Sequence, residues 1–234
     1  MLIYGFHPVR EALRTRPHEI ERILIVEGRR GKRRVQIESL CKRHGVSMSE
    51  VAESALNSES RGVHNGFVAE VRSVSGKKPA ESTDQDLVVL LEDIQDPRNL
   101  GALIRICDGV GIWRILIRDR GTARVSPTVV KASAGATEWV DLERVTNSAQ
   151  EIARLKEAGY WIYGADASGK RPWEIDLSGK VVVCFGGEEK GLRARTKSLC
   201  DELVGLPMRG GVESLNVSAA AAALLYEAIR QRSS

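Results

Sequence analysis

Five short, nearly continuous apolar runs in the second half of the chain restrict its fold more than any other feature. LVVLL (87–91), WRILI (113–117), YWIYGA (160–165), VVVCF (181–185) and LVGL (203–206) lack the apolar–polar alternation of a half-exposed strand. Such runs read as strands covered on both faces, the pattern of a parallel sheet with helical crossovers. Between them the sequence predicts helices over 99–110, about 126–135, 148–158 and 215–231. The fold class is therefore α/β, and ligand chemistry belongs in the segments just past the carboxyl ends of the strands.

Ahead of this sheet stands a smaller α/β unit. Pro8 opens a short helix through Leu13, ERILIVE is a strand, Val35, Ile37, Leu40 and Cys41 mark a helix stopped at Gly45, and GFVAEV closes as a strand. The polar, aperiodic stretch RSVSGKKPAESTDQD reads as a linker, dividing the chain into domains at 1–72 and 86–234 with 73–85 between. Charge follows this division. Residues 1–72 carry 13 Lys and Arg against 9 Asp and Glu, whereas 86–234 carry 20 of each. The densest cationic stretch is Arg29, Arg30, Lys32, Arg33 and Arg34, a local field that attracts phosphate backbones.

Several function classes are excluded or disfavoured. No apolar run reaches the roughly 18–20 residues of a membrane helix, and no secretory leader is evident, so a cytoplasmic location is expected. Cys41, Cys107, Cys184 and Cys200 are widely spaced without CxxC, which reads as free thiols and gives no metal site. No GxGxxG follows a strand. In GGEEKGL, Leu192 and Arg193 stand where a phosphate loop needs Lys and Ser or Thr. All four histidines precede residue 65, leaving the sheet domain without an imidazole for a hydrolytic triad.

The segments just past the strand ends hold glycines, amides and hydroxyls with one arginine. Asn99 and Arg105 are six residues apart, about 1.7 helical turns, and so lie on broadly opposite faces unless Asn99 is the helix cap, which fits best. Gly186 and Gly187 let a ligand approach the backbone, with Glu188 the nearest acid. Ser214, Asn216 and Ser218 crowd the start of a long, alanine-rich helix.

In order and spacing, NLGALIR, GGEEKGL and LPMRGGVESLNVSAAAAALLYE resemble the three motifs of the SpoU family of S-adenosylmethionine-dependent RNA ribose 2′-O-methyltransferases, within the SPOUT superfamily. GFHPVREAL and VHNGFVAEV resemble the L30e-like substrate-binding domain of the subgroup that methylates a guanosine of 23S ribosomal RNA. The resemblance implies a trefoil-knotted sheet, a homodimer with its active site near the subunit contact, and ribosomal RNA as partner. It implies functional roles for Asn99, Arg105, Glu188, Ser214 and Asn216. Cofactor contacts are implied at Gly164, Gly186, Leu206, Met208, Leu215 and Asn216.

Two positions depart from the pattern: Gly187 replaces Ser or Ala, and Glu189 replaces Gly, with Glu189 expected to face solvent. The family's usual proposal makes the arginine a general base. A guanidinium is effectively never deprotonated, so Arg105 is expected instead to stay charged, bind the phosphate beside the target ribose and stabilise developing charge, the proton leaving to water, phosphate or a carboxylate. A transfer-RNA methyltransferase, a non-catalytic RNA-binding protein and an unrelated α/β small-molecule enzyme are the alternatives that sequence leaves open.

Overall fold

The computed structural model describes residues 1–59, 64–72 and 86–233, so the expected linker at 73–85 lies outside the described residues. In the N-terminal unit, β1 (Leu2–Tyr4), α1 (Phe6–Thr15), β2 (Ile20–Val26), α2 (Lys32–His44), β3 (Met48–Val51), α3 (Glu53–Glu59) and β4 (Phe67–Val71) form a four-stranded mixed sheet in the order β1-β4-β2-β3. Gly5, at φ +103°, starts α1 two residues earlier than the proline signal, and Gly45, at φ +69°, ends α2 where sequence expected it.

The second unit is a six-stranded, wholly parallel sheet in the order β10-β8-β9-β5-β6-β7. Its strands are β5 (Leu87–Leu91), β6 (Arg114–Arg118), β7 (Asp141–Val145), β8 (Trp161–Lys170), β9 (Val181–Phe185) and β10 (Glu202–Val204). The helices are α4 (Pro97–Gly109), α5 (Pro127–Ala132), α6 (Ser148–Glu157), α7 (Ala194–Leu199) and α8 (Val217–Arg232). Alternate residues of the central strands feed two cores, which is why they read as unbroken apolar runs. Leu87, Val89 and Leu91 join Val181, Val183 and Phe185 beneath α4 and α8, whereas Val88, Leu90 and Cys184 meet Ile152 and Leu155 of α6. Five of the six strands match the apolar runs. β7 is the addition: an edge strand, it tolerates Asp141, Glu143 and Arg144 and so carried no apolar signal.

The two units are docked. Val130 of α5 lies in the N-terminal core beside Val9 and Leu13. The guanidinium of Arg16, 1% exposed, donates to both carboxylate oxygens of the equally buried Glu138, through Nε at 2.5 Å and a terminal nitrogen at 2.8 Å. Cys41, Cys107 and Cys184 are buried free thiols and Cys200 is partly exposed; burial pushes Cys41 up to about 11 and Cys107 up to about 12. Among the described residues no helix is long and apolar enough to cross a membrane.

Candidate functional site

The middle of β8 and the carboxyl ends of β9 and β10, with the segment leading into α8, enclose a cavity of about 370 Å³. Its inner wall is apolar, formed by Phe185, Val204, Leu206 and Leu224. Its rim carries the carboxylates of Asp166, Glu188 and Glu213 beside Ser214 and Asn216. That size and distribution suit a small ligand with an apolar body and a few polar or cationic groups.

The loop after β9 is shaped by close backbone contact. A Cβ on Gly186 would stand 2.0 Å from the carbonyl carbon of Gly191, and one on Gly187 would stand 2.5 Å from the Asp93 carbonyl oxygen. Neither position has room for a side chain, so glycine at 187 is fitted to this chain's own Asp93. The Gly191 amide donates to the Gly187 carbonyl at 2.9 Å and closes the turn. Glu189 is exposed and has no positive φ, so the turn holds with a residue other than glycine there.

Hydrogen bonds tie the three motif segments together. The Asn99 side-chain Nδ2 donates to the Glu188 carboxylate, and the Asn216 side-chain Nδ2 donates to Asn99 Oδ1 at 3.1 Å. Asn216 caps α8, its Oδ1 accepting from the Ser218 backbone at 2.9 Å and the Ser218 hydroxyl at 2.6 Å. Asn99 is not the cap of α4. Asp96 is, accepting from the Arg98 amide at 2.7 Å with Pro97 at the first helical position, because a carboxylate one residue before proline fills the cap better. Asn99 therefore sits in the first turn, where its side chain reaches the loop after β9.

Gly186, Leu206, Met208, Leu215 and Asn216 all line the cavity, as does Ser214. Gly164 does not. It is packed beneath Cys200, Leu192 and Leu203, all within 3 Å of where a Cβ would be, and its glycine serves that packing. Arg105 is also outside the cavity, in a neighbouring cleft with His7, Arg10, Arg14 and Trp139. Helical phase explains this: six residues rotate a side chain to the far side of α4 and about 9 Å along it. Of the cationic stretch, Arg30, Lys32 and Arg33 are exposed. Arg34 is engaged by Glu38 at 2.6 Å and Glu50 at 2.5 Å, and Arg29 lies 4.6 Å over the Phe67 ring.

Sequence reasoning missed Asp166 and Glu213 on the rim. Asp166 is held down to about 2, first by Lys197, whose ammonium donates at 2.7 Å, and then by Ser168. Its signal was its place just past the apolar part of β8.

Residues 86–226 match the SpoU rRNA Methylase family, and residues 2–75 match the RNA 2′-O ribose methyltransferase substrate-binding family. The chain is 35% identical over 239 residues to the 23S rRNA (guanosine-2′-O-)-methyltransferase RlmB of Pseudomonas syringae pv. tomato, covering 99% of this chain and 96% of the relative. A crystal structure of an RNA 2′-O ribose methyltransferase superposes with a TM-score of 0.82 at 27% identity, over 99% of this chain and 88% of that one. The SpoU methyltransferase AviRb of Streptomyces viridochromogenes, solved with AdoMet, shares the fold with a TM-score of 0.81 at 24% identity, over 100% of this chain and 91% of that one. Motifs, fold and full-length likeness agree that this chain belongs to the SpoU rRNA methylase family.

Proposed function

We propose that the chain transfers the methyl group of S-adenosylmethionine to the ribose 2′-hydroxyl of a guanosine in 23S ribosomal RNA. The observation that carries this reading is the convergence of three motif segments on one cavity, joined by the Glu188, Asn99 and Asn216 hydrogen bonds. Likeness to enzymes of that name along the whole chain, N-terminal domain included, favours ribosomal over transfer RNA. With that substrate the enzyme works in the cytoplasm, and we take it to be a homodimer. Exposed apolar side chains at Val212, Leu215 and Tyr226, on and beyond the cavity rim, support a subunit contact there. A trefoil knot belongs to the same reading. Its support is the tight passage of 166–170 against 203–205, where a Cβ on Gly169 would stand 2.4 Å from the Leu203 backbone.

The cavity fits the cofactor. Main chain around Gly186, Leu206, Met208 and Leu215 would hold the adenine against the apolar wall, and the rim carboxylates would offset the ligand's cationic groups. When bound, S-adenosylmethionine supplies an electrophilic methyl group, so placement and proton removal fall to the protein. Asn216 and Asn99 orient Glu188 at the rim. As the hydroxyl oxygen gains its new bond, its proton becomes acidic enough for a carboxylate, and Glu188 accepts it and passes it to water. Arg105 remains a cation and, from its separate cleft, holds a phosphate flanking the target ribose.

Incubation with labelled S-adenosylmethionine and separate pools of unmodified ribosomal and transfer RNA tests the reaction. Label is expected in alkali-resistant linkages of 23S RNA; label confined to transfer RNA, or none with cofactor bound, overturns it. Arg105→Lys is expected to lower kcat/KM at least about tenfold, because an ammonium cannot reproduce the bidentate fork. Activity near wild type would remove the guanidinium clamp.

A further inference from the structure

We propose that Asp93 is a positioning residue for the transfer reaction: clamped by Arg193 and Arg118, it sets the loop between β9 and α7 and so fixes where Glu188 and the Gly186 turn stand. This role rests on the methyltransferase assignment and deepens it, naming a second set of contacts, apart from the Asn99 and Asn216 hydrogen bonds, that holds the loop.

Asp93 lies two residues past β5 and takes a φ of +55°, a left-handed conformation that only Asn65 and Ala134 share among the described non-glycine residues. Such a backbone is costly for an L residue and persists where its surroundings over-determine it. Both ends of the loop supply those surroundings. At its start, the Asp93 carbonyl oxygen faces Gly187 so closely that a Cβ there would stand 2.5 Å away. At its end, Arg193 donates through Nε to Asp93 Oδ2 at 2.7 Å and through Nη2 to Oδ1 at 3.1 Å, a two-pronged grip on the carboxylate. Arg118, the last residue of β6, adds a third N–H to Oδ1 at 3.2 Å. The turn after β6 is shaped to the same carboxylate, since a Cβ on Gly121 would stand 2.0 Å from Oδ1.

One residue therefore anchors the loop on both sides of Glu188. The residue before it works to the same end: the Glu92 amide donates to the Phe185 carbonyl at 2.9 Å, and the Thr196 hydroxyl donates to the fully buried Glu92 carboxylate at 2.9 Å. Ion pairs on a partly exposed carboxylate add little to global stability, so the contribution of this cluster is geometric: a forked guanidinium contact has one orientation. It also accounts for the glycine at 187. Where the SpoU pattern has Ser or Ala, a side chain here would push the Asp93 peptide out of the conformation that offers its carboxylate to Arg193.

The experiment uses the full chain and measures kcat and KM on an unmodified 23S ribosomal RNA transcript, with the urea midpoint in parallel. Asp93→Asn and Arg193→Gln are each expected to lower kcat about tenfold, with the KM for RNA and the urea midpoint little changed, because a displaced loop misplaces Glu188. Combined, the two are expected to do no more harm than the worse single variant, since each removes the same contact. Arg193→Lys is expected to recover only part of the loss, an ammonium having no fork. Asp93→Gly suits the positive φ but lacks the carboxylate, and is expected to keep the urea midpoint and still lose kcat. Wild-type kcat in the single variants, losses that multiply in the double variant, or a deficit that tracks the urea midpoint would overturn the positioning role. So would a raised KM for RNA with kcat kept in Arg193→Gln, which would make Arg193 an RNA contact instead. Methylation by the wild-type protein combined with unchanged variants sinks the positioning role alone, whereas a wild-type protein that transfers no methyl group to any RNA sinks the methyltransferase assignment as well.

Discussion

Glu188, Asn99 and Asn216 form hydrogen bonds at the surface, where each contributes only about 1 kcal/mol to stability. Their value is positional: the row holds a carboxylate at the cavity rim in one orientation. Asn99→Ala is therefore expected to cut methyl transfer by about 10²-fold while moving the unfolding midpoint little, since misplacement of a reacting group by about 1 Å carries a penalty of that order. Asn216→Ala should reduce activity similarly and also remove about 1 kcal/mol of capping, readable by urea titration. Either variant within twofold of wild-type activity would show that Glu188 needs no orienting. Gly186→Ala behaves differently, because its methyl meets Gly191 backbone at 2.0 Å. The loop must move, at a cost of about 1–3 kcal/mol, and calorimetry should find cofactor binding lost while the sheet stays folded.

At the scale of elements, the legible part of the sequence was the part that burial writes into it. The central strands β5 and β9 are buried at every residue, so their runs are unmistakable, and α2 ends at a glycine that takes a positive φ. Edge strand β7 and the short elements β1, β3, α3 and α7 have no such signature, because partners distant in sequence stabilise them. The site divided the same way. Sequence took Asn99 for the cap of α4, and only the cap at Asp96 puts it in the first turn, apart from Arg105; the i,i+4 pair of Arg34 with Glu38 is local, but the capture of Arg34 by Glu50 depends on β3 lying beside β2, which no local pattern states. The salt slope of RNA binding is accordingly expected to respond to Arg30→Gln, Lys32→Gln and Arg33→Gln, about one unit each, and hardly to Arg34→Gln. An equal response from Arg34 would mean that RNA displaces Glu38 and Glu50. Between β8 and α7, the ion pair of Asp166 with Lys197 gives a pH signature. Because the folded carboxyl titrates near 2, below its unfolded value, its contribution is complete above about pH 4 and fades as pH falls toward 2. The stability gap between wild type and Asp166→Asn should be constant from pH 7 to about 4.5 and close below; a gap that widens in acid would reverse the assignment.

For the whole molecule, the proposed role of Arg105 requires the two domains to hold a fixed relation, because α1 and α4 meet across the cleft that contains it. Arg16 and Glu138 secure that relation from within, each 1% exposed, with Arg16 also donating to Glu19 at 2.9 Å. A buried pair of this kind adds little compared with apolar residues of similar size, yet removing one partner strands the other's charge. Arg16→Met is thus expected to destabilise the protein by about 3–5 kcal/mol, and Arg16→Met combined with Glu138→Leu to recover most of that loss. If the pair also sets domain geometry, the double variant will regain its urea midpoint and its affinity for S-adenosylmethionine, whose cavity lies wholly in the second unit, but not its RNA affinity. Stability and RNA binding recovered together would mean that packing around Val130 and Trp139 alone fixes the domains, and the ion pair would then be replaceable without consequence for the substrate.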